Sequence, residues 1–460
     1  MAALSSRKLE IVRTLVETAP DKIVGGLQRA LADTAGDTVL TSVRQLVEAE
    51  VADRTLRNRA FQPVFPLFVG DGSDRHSLVF PARALGLIWR GLKTTAPREM
   101  AAAAENANEH RPMDPGRIYD SLATAAAAGL RAREIREFKT AGELCDAAGS
   151  SPGGGEALAA CLDISPVVRR ALPRLPEWIG PPDEEIGAAA RLAYKDAVSV
   201  AEDAGPRFFE MLAGQLKPPW MVLRIISAVM DRPTERYLAD SELGGFPERV
   251  MADIDESLRA ITRMDLDAGP DAGRAAGRLV ELITQQAFEL EVCIETTRDH
   301  GWGQRIVGQK KALASAVEVR LRDLDKLVAA ALPSMQSGFA RPRRNGPQLD
   351  TAPDPRAVVR ATTTLAFAQE VRLCANYGGF SAAHAKMTEK LSATLDRYVE
   401  DVLIDVRNGD VADLAKARAF LMIAADFVGF VRDAQAAEFI RRRAASACAP
   451  PPDNCVVLDA

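Results

Sequence analysis

The sequence predicts an all-α protein, with an irregular multi-helix N-terminal region followed by a bundle of long helices. Along most of the 460-residue chain, apolar residues recur every three or four positions, as they do on one face of a helix. Aromatic residues make up only 5% of the chain, whereas alanine, the strongest helix former, is abundant. Patterns typical of strands are nearly absent.

Composition shifts divide the chain into four predicted regions. We expect an N-terminal helical region over residues 1–148, short repeat-like helices over 149–267, a long-helix bundle over 268–445 and a disordered tail over 446–460. The first boundary falls at a Gly- and Ser-rich stretch typical of a flexible linker. The short helices show no regular period, so they resemble repeats only loosely.

The first region opens with three predicted helices, the third running from Val39 to Asn58. The apolar stripes of the first two consist of Leu9, Val12, Leu15 and Val16, and of Ile23, Leu27 and Leu31. Next comes Phe61–Phe68, in which two prolines forbid a regular helix. We expect an extended segment that crosses the helical core. The alternative is a docking site for a partner through Phe65 and Phe68.

Further along, prolines and glycines set the predicted boundaries. We expect a loop over residues 95–116 and a helical hairpin over 118–147 that is broken near Gly129. Ser165 followed by Pro166 predicts a helix start, with serine as the N-cap. A nearly continuous apolar run from Met221 to Met230 predicts a buried helix.

The C-terminal half reads as five long amphipathic helices between Gly269 and Arg443. The fifth is expected from Val411 to Arg443, and it is apolar on almost every face between Phe420 and Val431. A helix of this kind belongs in the centre of a bundle. Residues 333–353, rich in Ser, Gly, Pro and Arg, predict a disordered loop.

Charge argues against several classes of partner. The chain carries 58 basic and 63 acidic residues, a net charge of −5, which opposes binding to nucleic acid or to anionic membranes. The basic residues are 46 Arg and 12 Lys, a bias that we attribute to a GC-rich, bacterial type of genome.

Targeting signals are not evident. Arg7, Lys8 and Glu10 precede any apolar run, so no signal peptide is expected. The most apolar window, residues 419–431, is interrupted by Asp426 and is too short to span a bilayer. The six cysteines form no Cys-x-x-Cys pair and are expected to be free thiols. We therefore expect a cytoplasmic protein.

Motifs for catalysis and for metal binding are missing from the sequence. The four histidines, His76, His110, His300 and His384, form neither His-Glu-x-x-His nor Glu-x-x-His. Glycine-rich stretches lack the Gly-Lys-Ser/Thr ending of a phosphate loop, and no Gly-x-Ser-x-Gly elbow occurs. We therefore assign no catalytic, cofactor-binding or metal-binding residue.

The segment Glu295–Lys311 is the least ordinary part of the chain. Its Trp302, Arg305 and His300 lie around two glycines, and tryptophan and arginine are enriched where proteins bind each other. These three residues are therefore candidates for partner binding. The alternative is a structural role, in which Trp302 closes the end of the bundle.

These features favour a non-enzymatic helical scaffold or adaptor that binds protein partners not identifiable from the sequence. The second hypothesis is an all-α enzyme with a site between the two halves of the chain, near His300 and Arg305. The third is a nucleic-acid-associated regulator, which the charge disfavours. The sequence leaves the oligomeric state open, including a homo-oligomer.

Overall fold

The structure is a computed structural model that describes residues 6–32, 38–69, 78–108, 116–148, 153–181, 184–201, 203–230, 233–335 and 346–448. Within these ranges the chain is mostly helical, and the strands are two pairs of two-residue segments. The predicted all-α class is therefore confirmed. Contacts divide the chain into a first unit, up to Pro233 with Asp240–Leu243, and a second unit, Thr234–Ala239 with Gly244 onward. The finer four-region division stays a prediction.

The first unit contains twelve α-helices in the described ranges. They are α1 (Ser6–Thr18), α2 (Asp21–Ala32), α3 (Thr38–Ala60), α4 (Ala82–Thr95), α5 (Pro97–Asn108), α6 (Gly116–Ala132), α7 (Arg136–Ala148), α8 (Gly154–Ala171), α9 (Leu175–Trp178), α10 (Glu184–Val200), α11 (Ala204–Gln215) and α12 (Val222–Val229). Two short strands, β1 (Phe68–Val69) and β2 (Phe80–Pro81), pair in parallel.

The second unit contains the remaining described helices and a second strand pair. The helices are α13 (Glu235–Ala239), α14 (Gly245–Thr262), α15 (Pro270–Cys293), α16 (Gly301–Ala331), α17 (Pro355–Glu370), α18 (Ser381–Asn408), α19 (Leu414–Val431) and α20 (Ala434–Ala447). Strands β3 (Ser334–Met335) and β4 (Gly346–Pro347) pair in antiparallel fashion. The predicted loop over 333–353 is therefore ordered at both described ends, and residues 336–345 lie outside the description, as do residues 449–460 of the predicted tail.

The hairpin predicted over residues 118–147 is present as α6 and α7, but Gly129 does not break it. The break falls instead at Arg133, which adopts a left-handed φ of 52°. Gly129 lies inside α6, where a Cβ atom would come within 2.5 Å of the buried Phe138 ring of α7. The glycine therefore makes room for packing rather than ending the helix.

The segment Phe61–Phe68 is buried only in part, since Phe65 is 37% exposed, and the predicted extended conformation was wrong. It forms turns followed by a 3₁₀ helix over Phe65–Leu67, with Pro66 at one of its first positions. Proline is tolerated there because its φ suits the helix and its missing N–H would find no partner. Phe61, Val64 and Leu67 are fully buried.

Two other predictions made from prolines were also wrong. The expected loop over 95–116 contains α5, which begins at Pro97 and continues through an alanine run that favours helix. Pro166 does not start a helix but lies inside α8, where Ser165 is buried and its hydroxyl donates to the carbonyl of Cys161 at 2.9 Å. Apolar residues on both sides of Pro166 are buried, and this packing keeps the helix continuous.

The predicted fifth long helix is in fact two helices, so the long-helix half contains six in the described residues. The chain breaks at Arg432 and Asp433, and the Asp433 carboxylate accepts the N–H of Ala436 at 2.8 Å as the N-cap of α20. The apolar core is nonetheless centred where it was expected, since Phe420, Phe427 and Val428 of α19 are buried.

Candidate functional site

The hairpin end, Glu295–Lys311, is held together by a carboxylate from α13. Glu235 accepts the backbone N–H groups of Trp302 at 2.5 Å and of Gly303 at 3.4 Å, at the first turn of α16. A negative charge there is favoured by the helix dipole and satisfies donors that have no partner within the helix. Gly301 has a φ of +59°, and a Cβ at this position would lie 1.7 Å from the Glu235 carboxylate.

Trp302 and Arg305 are both engaged by carboxylates of α14. Trp302 is 7% exposed, and its indole N–H donates to Glu248. The Arg305 guanidinium bridges Glu248 at 2.7 Å and Asp255 at 2.8 Å. Burial lowers the pKa of Arg305, but the two carboxylates outweigh it and raise the pKa overall. These contacts hold both side chains against α14, and their role in partner binding stays a prediction.

The remaining candidates are His300 in the second unit and Phe65 and Phe68 in the first. His300 is exposed, and its ring nitrogen lies 2.9 Å from the hydroxyl of Thr297. Phe65 and Phe68 belong to the first unit, where Phe65 is 37% exposed and the ring of Phe68 lies 5.7 Å from that of Phe80. Within the second unit, the structure therefore brings together Trp302 and Arg305, whereas His300 contacts Thr297.

Side chains that could act as nucleophiles or bind a metal ion do not cluster in the described residues. No group of three or more His, Cys, Asp or Glu side chains there is placed to hold a metal ion. Burial raises the pKa of the Cys145 and Cys161 thiols to about 12, and it also raises the pKa of Cys374. A raised pKa leaves a thiol protonated and poorly nucleophilic at neutral pH. His76 and His110 lie outside the described residues.

A charged cleft of about 240 Å³ lies in the first unit, between α1, α3 and α4. Its lining consists of Glu17, Glu50, Asp53, Arg54, Arg57, Gly86, Trp89, Arg90 and Lys93. Most of these charges are neutralised within the chain. Arg54 bonds Glu50 and Asp21, both at 2.6 Å, and also donates to the carbonyl of Val16 at 2.9 Å. Asp53 accepts from Trp89 at 3.0 Å and from Lys93 at 2.7 Å.

The Arg54 bonds secure the end of α1 to α3, so we assign this cleft a structural role. Sequence reasoning missed it. The available signal was the pair Arg54 and Arg57 at i, i+3 spacing near the end of a predicted helix.

The larger cavity lies in the second unit and is an open groove of about 460 Å³ between α17, α19 and α20. Its lining consists of Val358, Thr362, Gln369, Ile423, Asp426, Phe427, Gly429, Phe430, Ala434, Ala437 and Arg441. The break after α19 creates this groove, because it allows α20 to fold back against α19. Gly429 of α19 faces Ala437 of α20, since a Cβ at Gly429 would lie 3.4 Å from the Cβ of Ala437, an ordinary contact distance.

The chemistry of the groove suits apolar contact rather than catalysis. Its charged residues, Asp426 and Arg441, pair with each other at 2.7 Å, and this hydrogen bond raises the pKa of Arg441. The small side chains of Ala434 and Ala437 leave space beside the larger Ile423 and Phe430. The sequence signals for the groove were the Arg432–Asp433 break and these small residues, which sequence reasoning did not use.

A second apolar surface lies where α15 faces the turn after α17. Leu373 is 90% exposed, Val292 56% and Phe288 47%, and the Phe288 ring lies 5.5 Å from that of Tyr377. Lys310, from the hairpin end, lies 4.3 Å above the Tyr377 ring.

No family model, curated protein or solved structure matches this chain. None of the helices in the described part of the chain is both long enough and apolar enough to cross a membrane.

Proposed function

We propose that the chain is a cytoplasmic, non-enzymatic scaffold or adaptor, and that the groove of its second unit binds an amphipathic helix of a partner protein. The observation that carries this proposal is the spacing of the lining residues. Val358 and Thr362 follow each other at i, i+4 on α17, and Ala434 and Ala437 at i, i+3 on α20. Rows of this kind form ridges with a trough between them, into which a further helix packs.

The length and polarity of the groove define the segment that it fits. The lining on α17 extends from Val358 to Gln369, which corresponds to roughly 16 Å at the usual rise per residue. About three turns of a partner helix would cover this length. The partner needs apolar residues at i, i+4 and i+7, as in other helix-in-groove complexes. Asp426 and Arg441, at the edge, would tolerate a polar flank on that helix.

The enzyme hypothesis receives no support from the described residues. Arg305 is held by two carboxylates, and His300 contacts Thr297 rather than a second titratable group. A nucleic-acid role is not favoured either, because the chain has a net charge of −5.

The test is to block the groove with a large side chain and to measure peptide binding. Ala434 is exposed and lines the groove, whereas its neighbour Gln435 is exposed and does not. Ala434→Trp should fill the trough, and Gln435→Trp is the matched control on the same helical turn. A displayed library of helical peptides, with randomised apolar residues at i, i+4 and i+7, is first selected for binding to the wild-type chain. Their affinity for each variant is then measured by fluorescence anisotropy.

We expect selected peptides to lose at least about tenfold in affinity for Ala434→Trp. Binding to Gln435→Trp should stay unchanged. Failure to enrich any peptide would contradict the proposal, as would equal binding to both variants. Binding of a small apolar dye in the groove, without binding of any peptide, would mean that the groove takes small molecules instead.

A further inference from the structure

The charged cleft of the first unit lies between one face of α3 and one face of α4. Its lining from α3 is Glu50, Asp53, Arg54 and Arg57, and its lining from α4 is Gly86, Trp89, Arg90 and Lys93. Residues three or four positions apart lie on one face of a helix. Asp53 bonds Lys93 near the end of α4, whereas Arg57 lies beside Gly86, earlier in the same helix. The two helices therefore run in opposite directions along the cleft, with Arg90 between these two contacts.

Arg57 has a donor group that the described chain does not use. The residue is 7% exposed, and its Nε and Nη2 groups donate to Asn58 and Asp21. Its Nη1 group donates to no described residue, and a Cβ at Gly86 would lie 3.9 Å from it. Buried polar groups normally have a hydrogen-bond partner, so Nη1 is available to a group inside the cleft.

Arg90 and Lys93 add further donors from α4. Among the described residues, Arg90 has neither a hydrogen-bond partner nor an ion-pair partner, although it is half-buried and lines the cleft. Lys93 donates to Asp53 at 2.7 Å, and its ammonium group has three donors in all. Residues four apart on a helix are about 5–6 Å from each other, so Arg90 lies one turn from Gly86 and from the Nη1 group beside it.

Gly86 lies inside α4, at a position where packing does not require glycine. A Cβ there would meet only Arg57 in the rest of the described chain, at an ordinary contact distance of 3.9 Å. Gly91, in the same helix, is different, because a Cβ there would lie 2.8 Å from the buried Phe138 ring. Glycine weakens the interior of a helix, and one of its uses is to let a ligand approach the backbone closely. Gly86 therefore keeps the wall of the cleft open beside Arg57.

The carboxylates of the cleft do not favour a cation as its ligand. Glu50 accepts from Arg54 at 2.6 Å, and Asp53 accepts from two donors of α4. No group of three His, Cys, Asp or Glu side chains in the described residues is placed to hold a metal ion. The remaining carboxylate of the lining is Glu17, which is exposed near the end of α1. The groups left without a partner inside the cleft are therefore cationic donors, which favour an anion.

We infer that this cleft binds the phosphate group of a small phosphomonoester, held by Arg57, Arg90 and Lys93. A phosphomonoester has three strong acceptor oxygens and nearly two negative charges, and guanidinium groups match its geometry. The cleft volume of about 240 Å³ equals the share of about eight molecules in liquid water. This volume admits a phosphate with a few carbon atoms, but it lies below the usual range for drug-sized ligands. The inference does not depend on the groove of the second unit.

The test is isothermal titration calorimetry of the full chain with inorganic phosphate and with glycerol 3-phosphate. Constant ionic strength separates binding at a site from the screening of surface charges. Arg90→Gln removes one guanidinium and breaks no bond with a described residue, so circular dichroism should show unchanged helix content. The matched control is Arg83→Gln, since Arg83 is exposed on α4 and does not line the cleft. Glu17→Gln removes the carboxylate that would repel an anion.

We expect the wild type and Arg83→Gln to bind both ligands at a single site, with dissociation constants in the millimolar range or below. Arg90→Gln should bind at least about tenfold more weakly, the effect of one charge-assisted hydrogen bond, and Glu17→Gln should bind more tightly. Absence of binding to the wild type would overturn the inference, as would equal affinities of Arg90→Gln and Arg83→Gln. Acetate that binds as tightly as phosphate would also overturn it, because the cleft would then not distinguish a phosphate from a carboxylate.

Discussion

Two glycines of α15 allow it to lie directly against α17, and substituting them tests the packing of the second unit. A Cβ at Gly273 would lie 2.0 Å from the carbonyl oxygen of Thr363 and 3.1 Å from the amide nitrogen of Phe367. At Gly277 it would lie 2.4 Å from the Cβ of Glu370. These atoms belong to the backbone or are fixed to it, so no change of rotamer relieves the overlap.

The perturbation is Gly273→Ala, and two opposing effects decide its magnitude. Alanine in a helix interior is favoured over glycine by about 1 kcal/mol. Against this, real Cβ atoms essentially never come within 3.0 Å of another heavy atom, so α15 and α17 must separate locally by about 1 Å. Overpacking of this kind costs about 1–3 kcal/mol, or more where the backbone must move. Phe367, in the same turn of α17, is fully buried and would move with it. Because the obstructing atoms belong to the backbone, the upper part of this range, about 2–3 kcal/mol, applies, and we expect a net loss of about 1–2 kcal/mol.

Gly308 provides the matched control. It lies inside α16 of the same unit, and a Cβ there would meet nothing within 4 Å in the described chain. Gly308→Ala should therefore raise the free energy of unfolding by about 0.5–1 kcal/mol. The two substitutions make the same chemical change with opposite expected signs.

The assay is urea unfolding followed by far-ultraviolet circular dichroism, with hydrogen exchange of peptides from α15 and α17 to identify the transition of the second unit. A protein with two units need not unfold in one step, so the midpoint of that transition is the quantity compared. If Gly273→Ala is as stable as the wild type, or shifts in the same direction as Gly308→Ala, the close approach of α15 and α17 is wrong.

Two further predictions concern single polar groups. Tyr398 is 6% exposed, its hydroxyl has no hydrogen-bond partner among the described residues, and burial raises its pKa. Tyr398→Phe should therefore keep or raise the thermal midpoint of unfolding. If the substitution lowers the free energy of unfolding by more than about 1 kcal/mol, the hydroxyl has a hydrogen-bond partner after all. The pKa of Asp146 is lowered by the Gly155 N–H and then by Arg133, so its stabilising effect is present above the unfolded pKa of about 3.9 and is lost as pH falls through the lower folded value. Asp146→Asn should therefore lower stability at pH 7 and flatten its decline in acid, and an unchanged pH profile in urea unfolding would contradict this assignment.

The fold class was predictable because helical periodicity is a local property of the sequence. Breaks were less predictable, because distant contacts decide them. Gly129 resembles a helix breaker, yet the ring of Phe138 occupies the space above it and the helix continues. Pro97 resembles the start of a loop, but proline at the first position of a helix is compatible with α5. In contrast, no helix break was predicted at Arg432 and Asp433, which follow an apolar run, although Asp433 is the N-cap of α20.

The candidate site shows the same limit. The sequence identified Trp302 and Arg305 as unusual, and the structure gives both of them specific contacts. Those contacts come from Glu248 and Asp255, which are 57 and 50 residues away from Arg305 in the chain. No local pattern connects residues so far apart. The groove was missed for a related reason, since it depends on where α20 folds back onto α19.

The helix α1 shows what a sequence pattern can and cannot say about burial. The stripe of Leu9, Val12, Leu15 and Val16 was predicted correctly as apolar, but the chain covers only part of it, since Leu15 is 63% exposed whereas Val16 is 5% exposed. Periodicity indicates that a face avoids water, without indicating which molecule covers it. Exposed apolar residues are ordinary in soluble proteins. The sequence therefore predicts an apolar face, and the fold decides how much of that face the chain itself buries.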